Sequence, residues 1–140
     1  MNVLRNGGRR EVMLDTLVNP GRPIPPGISG ITGITDAMVR GAPTFADIAG
    51  ELLGVLAGRV FVAHNARFDW SFLDASLQRA RGLGLGGPNL CTVRLARRLL
   101  PGVGSCGLDN LTHVLALENI ARHRAAGDAD VTARLLERLL

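Results

Sequence analysis

The chain has 140 residues, 46% of them hydrophobic, which is enough for one domain whose core needs no disulfide or structural metal. Its formal net charge is +4, and all 16 basic residues are arginine; a basic surface favours polyanionic partners without identifying one. Cys91 and Cys106 stand in no C-x-x-C spacing, and no apolar run approaches membrane-spanning length, which argues against a secreted disulfide scaffold or a membrane protein and for a soluble, reduced, cytoplasmic one.

In chain order, the turn signal Asn6-Gly7-Gly8 separates Val3-Leu4 from the β-rich run Val12 to Val18, two arms of a hairpin with a very short first arm. Pro20, Pro23, Pro25 and Pro26 predict an extended connector through Gly33, since proline opposes both ladder and helix interior. From Thr44 the apolar positions Phe45, Ile48, Leu52, Leu53 and Leu56 recur at helical spacing, with Gly58 as a stop. Val60 to Ala63 read as a short buried strand that delivers His64 and Asn65 to its C-terminal end, where ligands gather in open α/β sheets. Phe72, Leu73 and Leu77 carry a helix from near Asp69 to about Arg81, and Gly82 to Gly87 break it as a flexible loop. Leu90 to Leu100 lead from a strand end into a helix stopped by Pro101-Gly102. Leu108, Leu111, Val114 and Leu115 form a shorter helical stripe, and Val131, Leu135, Leu136 and Leu139 mark a last helix from about Asp128 to Leu140.

Two stretches carry chemistry: HNARFDWSF from His64 and HRAAGDADVTARLLERLL from His123. Each places a carboxylate, Asp69 or Asp128, at the start of an apolar-periodic helix, where unpaired N–H groups and the helix dipole favour negative charge. Two such acids make a candidate shared metal site. Taken alone, Asp69 also reads as a helix N-cap, His123 as an exposed loop histidine and Phe68 as plain core. Trp70 and Phe72 read as core, His113 as structural, Asp130 as a surface acid, and His64 as a residue that packs or bonds the backbone.

The pattern His64-Asn65-Ala66-x-Phe68-Asp69, with His123 and Asp128 and the segments LVNPGRPIPP from Leu17, GITGIT from Gly30 and RLARRLLPG from Arg94, resembles the DEDDh, or DnaQ-like, 3′→5′ exonucleases of the ribonuclease H-like superfamily nearly end to end. The resemblance implies an α/β fold, a mixed sheet flanked by helices, and a single exonuclease-like domain over residues 1–140. It implies hydrolysis of phosphodiester bonds at single-stranded or frayed nucleic-acid 3′ ends, on DNA in proofreading or repair, with two divalent ions, Mg²⁺ or Mn²⁺, and a DNA polymerase subunit as a further partner. By the same resemblance Asp128 binds the metal that holds the nucleophilic water, Asp69 supports the second metal, and His123 is the general base. Asn65 and Phe68 lie beside the 3′-terminal nucleotide.

Members of the family open with an Asp-x-Glu strand at the centre of the sheet, and no Asp-x-Glu occurs in this sequence. The expected fold is therefore N-terminally truncated, without its central strand and with half of the acidic quartet absent. Two other readings follow: a non-catalytic relic that binds nucleic acid or a polymerase, and an oligoribonuclease-like RNA exonuclease.

Overall fold

The computed structural model describes residues 2–4, 10–117 and 125–140. Strand β1 (Asn2–Leu4) pairs antiparallel with β2 (Arg10–Val12), in the register Asn2↔Val12 to Leu4↔Arg10. The two arms expected on either side of Asn6-Gly7-Gly8 do pair, the turn itself lying outside the described residues, but the second arm ends where the run Val12 to Val18 was expected to begin. β-propensity cannot hold a strand without a neighbour to take its N–H and C=O groups. Beyond Val12, itself 60% exposed, the described part of β1 offers no partner.

The proline-rich connector also departs from expectation, because it contains a helix, α1 (Pro26–Thr32). Pro26 stands in the first turn, where a missing N–H costs nothing and a fixed φ suits the helix; Pro25 is the N-cap, and Gly33 closes the far end with φ 69°. The four-residue helix α2 (Asp36–Val39) follows, and its Asp36 carboxylate accepts a hydrogen bond from the Ile24 N–H at 2.8 Å, tying the connector's start to its end.

Helix α3 (Phe45–Leu56) starts in a capping box. The Thr44 N–H donates to Asp47 Oδ2 at 2.8 Å and the Asp47 N–H returns to Thr44 Oγ1 at 3.4 Å. The Thr44 hydroxyl, which donates to Asp47 Oδ2 at 2.7 Å, and then the Thr44 N–H hold the Asp47 carboxyl below its ordinary pKa. Ala49, Leu52 and Val55 form the buried face, and α3 packs against α4.

Strand β3 (Phe61–Ala63) pairs in parallel with β4 (Asn89–Cys91), Ala63 opposite Cys91, and α4 (Ala66–Arg81) makes the crossover that parallel strands require. Gly82 caps α4 at φ 65°. The glycine-rich segment, expected as a flexible loop, is tied back to α4 by the Leu85 N–H, which donates to Asp74 Oδ1 at 2.7 Å.

Helices α5 (Thr92–Leu99), α6 (Leu108–Val114) and α7 (Ala125–Leu139) complete the described chain. Leu135 and Leu139 of α7 close on Ala96 of α5 and Leu111 of α6, with Leu95, Leu100 and Val103 packed around them. α7 also lies against both β1 and β3. Arg10 of β2 fastens the hairpin to it, through Glu137 at 2.9 Å and Asp130 at 3.5 Å. Among the described residues the antiparallel pair and the parallel pair remain separate sheets, with no ladder from β1 to β3. The result is an α/β fold with both strand senses, flanked by helices.

Candidate active site

The parallel pair ends with Ala63 beside Cys91, and each strand passes directly into a helix, α4 or α5. Two helix N-termini, whose first N–H groups have no intrahelical partner, therefore meet at the C-terminal edge of the strands. The turn into α4 is made by Asn65, the N-cap, at φ 70° and ψ 48°. This left-handed conformation is one that asparagine tolerates better than most L-residues, and it reverses the chain within two residues. Asn65 is exposed and its side chain makes no capping hydrogen bond, whereas Ala66 beside it is buried.

Because Asn65 takes the cap, the N-cap reading of Asp69 is wrong. The helix begins three residues before the expected position, so Asp69 sits within its first turn as an exposed residue. Partial desolvation of its carboxyl raises the pKa, opposed by its own backbone N–H. Phe68 is 60% exposed, which removes the core alternative for it. Phe72, expected in the core, is 61% exposed. The two rings lie one helical turn apart on the same face, centroids 4.9 Å apart and planes tilted by 51°. Trp70 points elsewhere and packs edge-on to Phe61 at 5.6 Å, as a core residue does.

His64 is half-buried, with Nδ1 2.9 Å from the Thr92 hydroxyl. It was expected to pack or bond the backbone; it bonds a side chain as well, and the Cys106 backbone also acts on the ring. Burial lowers the imidazole pKa, while the Cys106 backbone acts in the opposite direction.

Cys91 and Thr92 are the site residues that sequence reasoning missed. Burial raises the Cys91 thiol, but the backbone N–H groups of Arg94, Ala66, Asn65 and Val93 together outweigh it and bring the pKa below the ordinary thiol value. The available signal was the strand end Leu90-Cys91 running straight into a helix. Arg67 and Arg94, in the first turns of α4 and α5, add exposed guanidinium groups to the same edge.

Asp128 is partly buried in the first turn of α7, the helix that packs on β3. Asp130, two residues on, is ion-paired with Arg134 at 3.1 Å and Arg10 at 3.5 Å, so it joins the hairpin to α7 as well as lying near the surface. His113 is exposed in the last turn of α6. His123, the candidate general base, lies outside the described residues.

The structure thus brings Asn65, Phe68 and Asp69 together at the start of α4 and places Asp128 on a separate helix against the same strand. Carboxylate oxygens of this kind suit Mg²⁺ or Mn²⁺. Among the described residues, however, no group of three His, Cys, Asp or Glu gathers closely enough to hold a metal ion, so these residues do not complete a two-metal site.

Residues 3–136 match the family model RNase_T, described as an exonuclease. The chain is 34% identical over 134 residues to DNA polymerase III subunit epsilon of Aquifex aeolicus, covering 96% of this chain and 66% of that protein. Over 137 residues it is 42% identical to a DNA polymerase III subunit epsilon-like protein of Rhodobacter capsulatus, covering 95% of this chain and 19% of that protein. It therefore spans just under two thirds of the first relative and about a fifth of the second. A solved structure of exonuclease X in complex with 5′ overhanging duplex DNA matches 99% of this chain and 78% of that one, with a TM-score of 0.77 at 31% identity. No described helix is long and apolar enough to cross a membrane. With family model, sequence relatives and fold in agreement, the chain belongs to the DnaQ-like exonucleases of ribonuclease H-like fold.

Proposed function

We propose that the chain acts as a DEDDh 3′→5′ exonuclease domain on DNA, binding single-stranded or frayed 3′ ends and using two divalent ions, Mg²⁺ or Mn²⁺, in the cytoplasm and in company with a DNA polymerase subunit. The observation that carries this reading is the joint exposure of Asn65, Phe68 and Asp69 where two parallel strands end against two helix N-termini. A phosphate finds N–H donors and guanidinium groups at this edge, and a base finds an aromatic surface. Asn65 offers an amide to sugar or phosphate, Phe68 a face to the terminal base, and Asp69 and Asp128 carboxylate oxygens to metal. His123 is the proposed base for the attacking water. The likeness to a DNA polymerase subunit and to an exonuclease solved with DNA supports DNA over RNA.

The test is release of 5′-mononucleotides from a labelled oligodeoxynucleotide with a free 3′ end, in Mn²⁺, beside the same assay on RNA. Asp69→Ala and Asp128→Ala should each lower the rate by at least about ten- to a hundredfold. Wild-type turnover unaffected by either substitution would refute the assignment.

The absence of a three-ligand group among the described residues favours a second reading, a non-catalytic module that binds nucleic acid or a polymerase. That module should bind an oligonucleotide equally well with EDTA and in Asp128→Ala. Affinity that needs metal and is lost in the variant would exclude it.

A further inference from the structure

The β3–β4 ladder has three residue pairs and ends at Ala63↔Cys91. Immediately beyond it, the strands are joined by a side-chain bond: His64 Nδ1 meets Thr92 Oγ1 at 2.9 Å, and the same hydroxyl reaches the Ala63 carbonyl at 3.5 Å. Thr92 is fully buried. The other ring nitrogen of His64, Nε2, is buried without a hydrogen-bond partner among the described residues, and although the Cys106 backbone also acts on the ring, Thr92 supplies its side-chain hydrogen bond at the strand ends. The next residue is Asn65 in its left-handed conformation, which persists where its surroundings over-determine it.

We propose that His64 and Thr92 form a positioning clamp that sets the direction in which Asn65 and the first turn of α4 meet nucleic acid. The inference rests on the nucleic-acid reading of that edge and adds two residues to it, neither of which touches the ligand. The ring bridges residues 28 apart in sequence and so fixes the exit of β3 relative to the start of α5. Without the hydroxyl, the ring loses its link to the start of α5 and the turn at Asn65 can relax. The Asn65 amide and the first-turn N–H groups of α4 then lose their fixed direction, because Asn65 is the N-cap through which β3 enters α4.

Thr92→Val deletes the hydroxyl while keeping the shape, and Thr92→Ser restores it. Native-state hydrogen exchange reads the clamp directly. The Phe68 amide, bonded to the Asn65 carbonyl at 2.9 Å, should exchange about three- to tenfold faster in Thr92→Val and return to the wild-type rate in Thr92→Ser, with Leu135 of α7 unchanged in both. Equal acceleration at Leu135, or a chain that no longer unfolds cooperatively, would make Thr92 merely structural and overturn the proposal.

The second readout is the affinity for a short 5′-labelled oligothymidylate without added divalent metal. Thr92→Val and Asn65→Ala should each weaken binding by about three- to tenfold, and the double variant should be no weaker than the worse single one, because both act through one contact. An additive cycle, or wild-type affinity in Thr92→Val, would overturn the clamp and leave the site reading intact. Failure of the wild-type chain to bind would overturn that reading itself, and the positioning role with it.

Discussion

At the scale of single residues, the site edge is distinguished by what the backbone does to its side chains. Cys91 lies where the first turns of two helices present N–H groups, and these outweigh the burial that would keep a thiol protonated. Its folded-state pKa is therefore lower than in the unfolded chain. The unfolded state binds more protons between those two values, so folding stability rises with pH across that window. Alkylation of Cys91 by iodoacetamide should set in at lower pH in the native chain than in the chain unfolded in urea. Coincident profiles would contradict the arrangement. Asn65, Phe68 and Asp69 were legible as a group because a local motif holds them within five positions. Thr92 was not legible, since its role depends on a histidine 28 residues away that only strand pairing brings within reach.

At the scale of elements, local signals performed best where one piece of chain satisfies its own backbone. The reciprocal bonds of Thr44 and Asp47 need nothing outside the first turn of α3, and that helix lies where its spacing predicted it. Thr44→Ala should destabilise the chain by about 1 kcal/mol, seen as a lower urea midpoint with unchanged slope. No change in midpoint would mean that packing of Ala49, Leu52 and Val55 holds the helix without its cap. Strand β2 shows the opposite case: the composition of Val12 to Val18 suits a strand, but a ladder exists only where a partner runs alongside. α1 shows a third, in which a proline cluster read as a barrier turns out to be a helix start, because proline at the first position forfeits no bond.

At the scale of the whole molecule, α7 is the element on which the rest depends. It packs on α5 and α6, lies against β1 and β3, takes the Arg10 contacts from β2, and carries Asp128 at its start. Leu135, fully buried in that junction, should cost about 2–5 kcal/mol on replacement by Ala, measured as loss of urea stability. A cost under about 1 kcal/mol would show that the junction can close around the cavity.

Family, strand-to-helix order and the residues of the HNA-x-FD motif could be read from the sequence alone, because they depend on neighbours within a turn or two of chain. The exposure of Phe72, the His64–Thr92 link, the nest of N–H groups around Cys91 and, among the described residues, the separation of the two strand pairs were decided by tertiary structure. Each of these depends on which distant segments share a ladder or a helix face, and that choice is made by burial and backbone pairing over the whole chain, not by local preference.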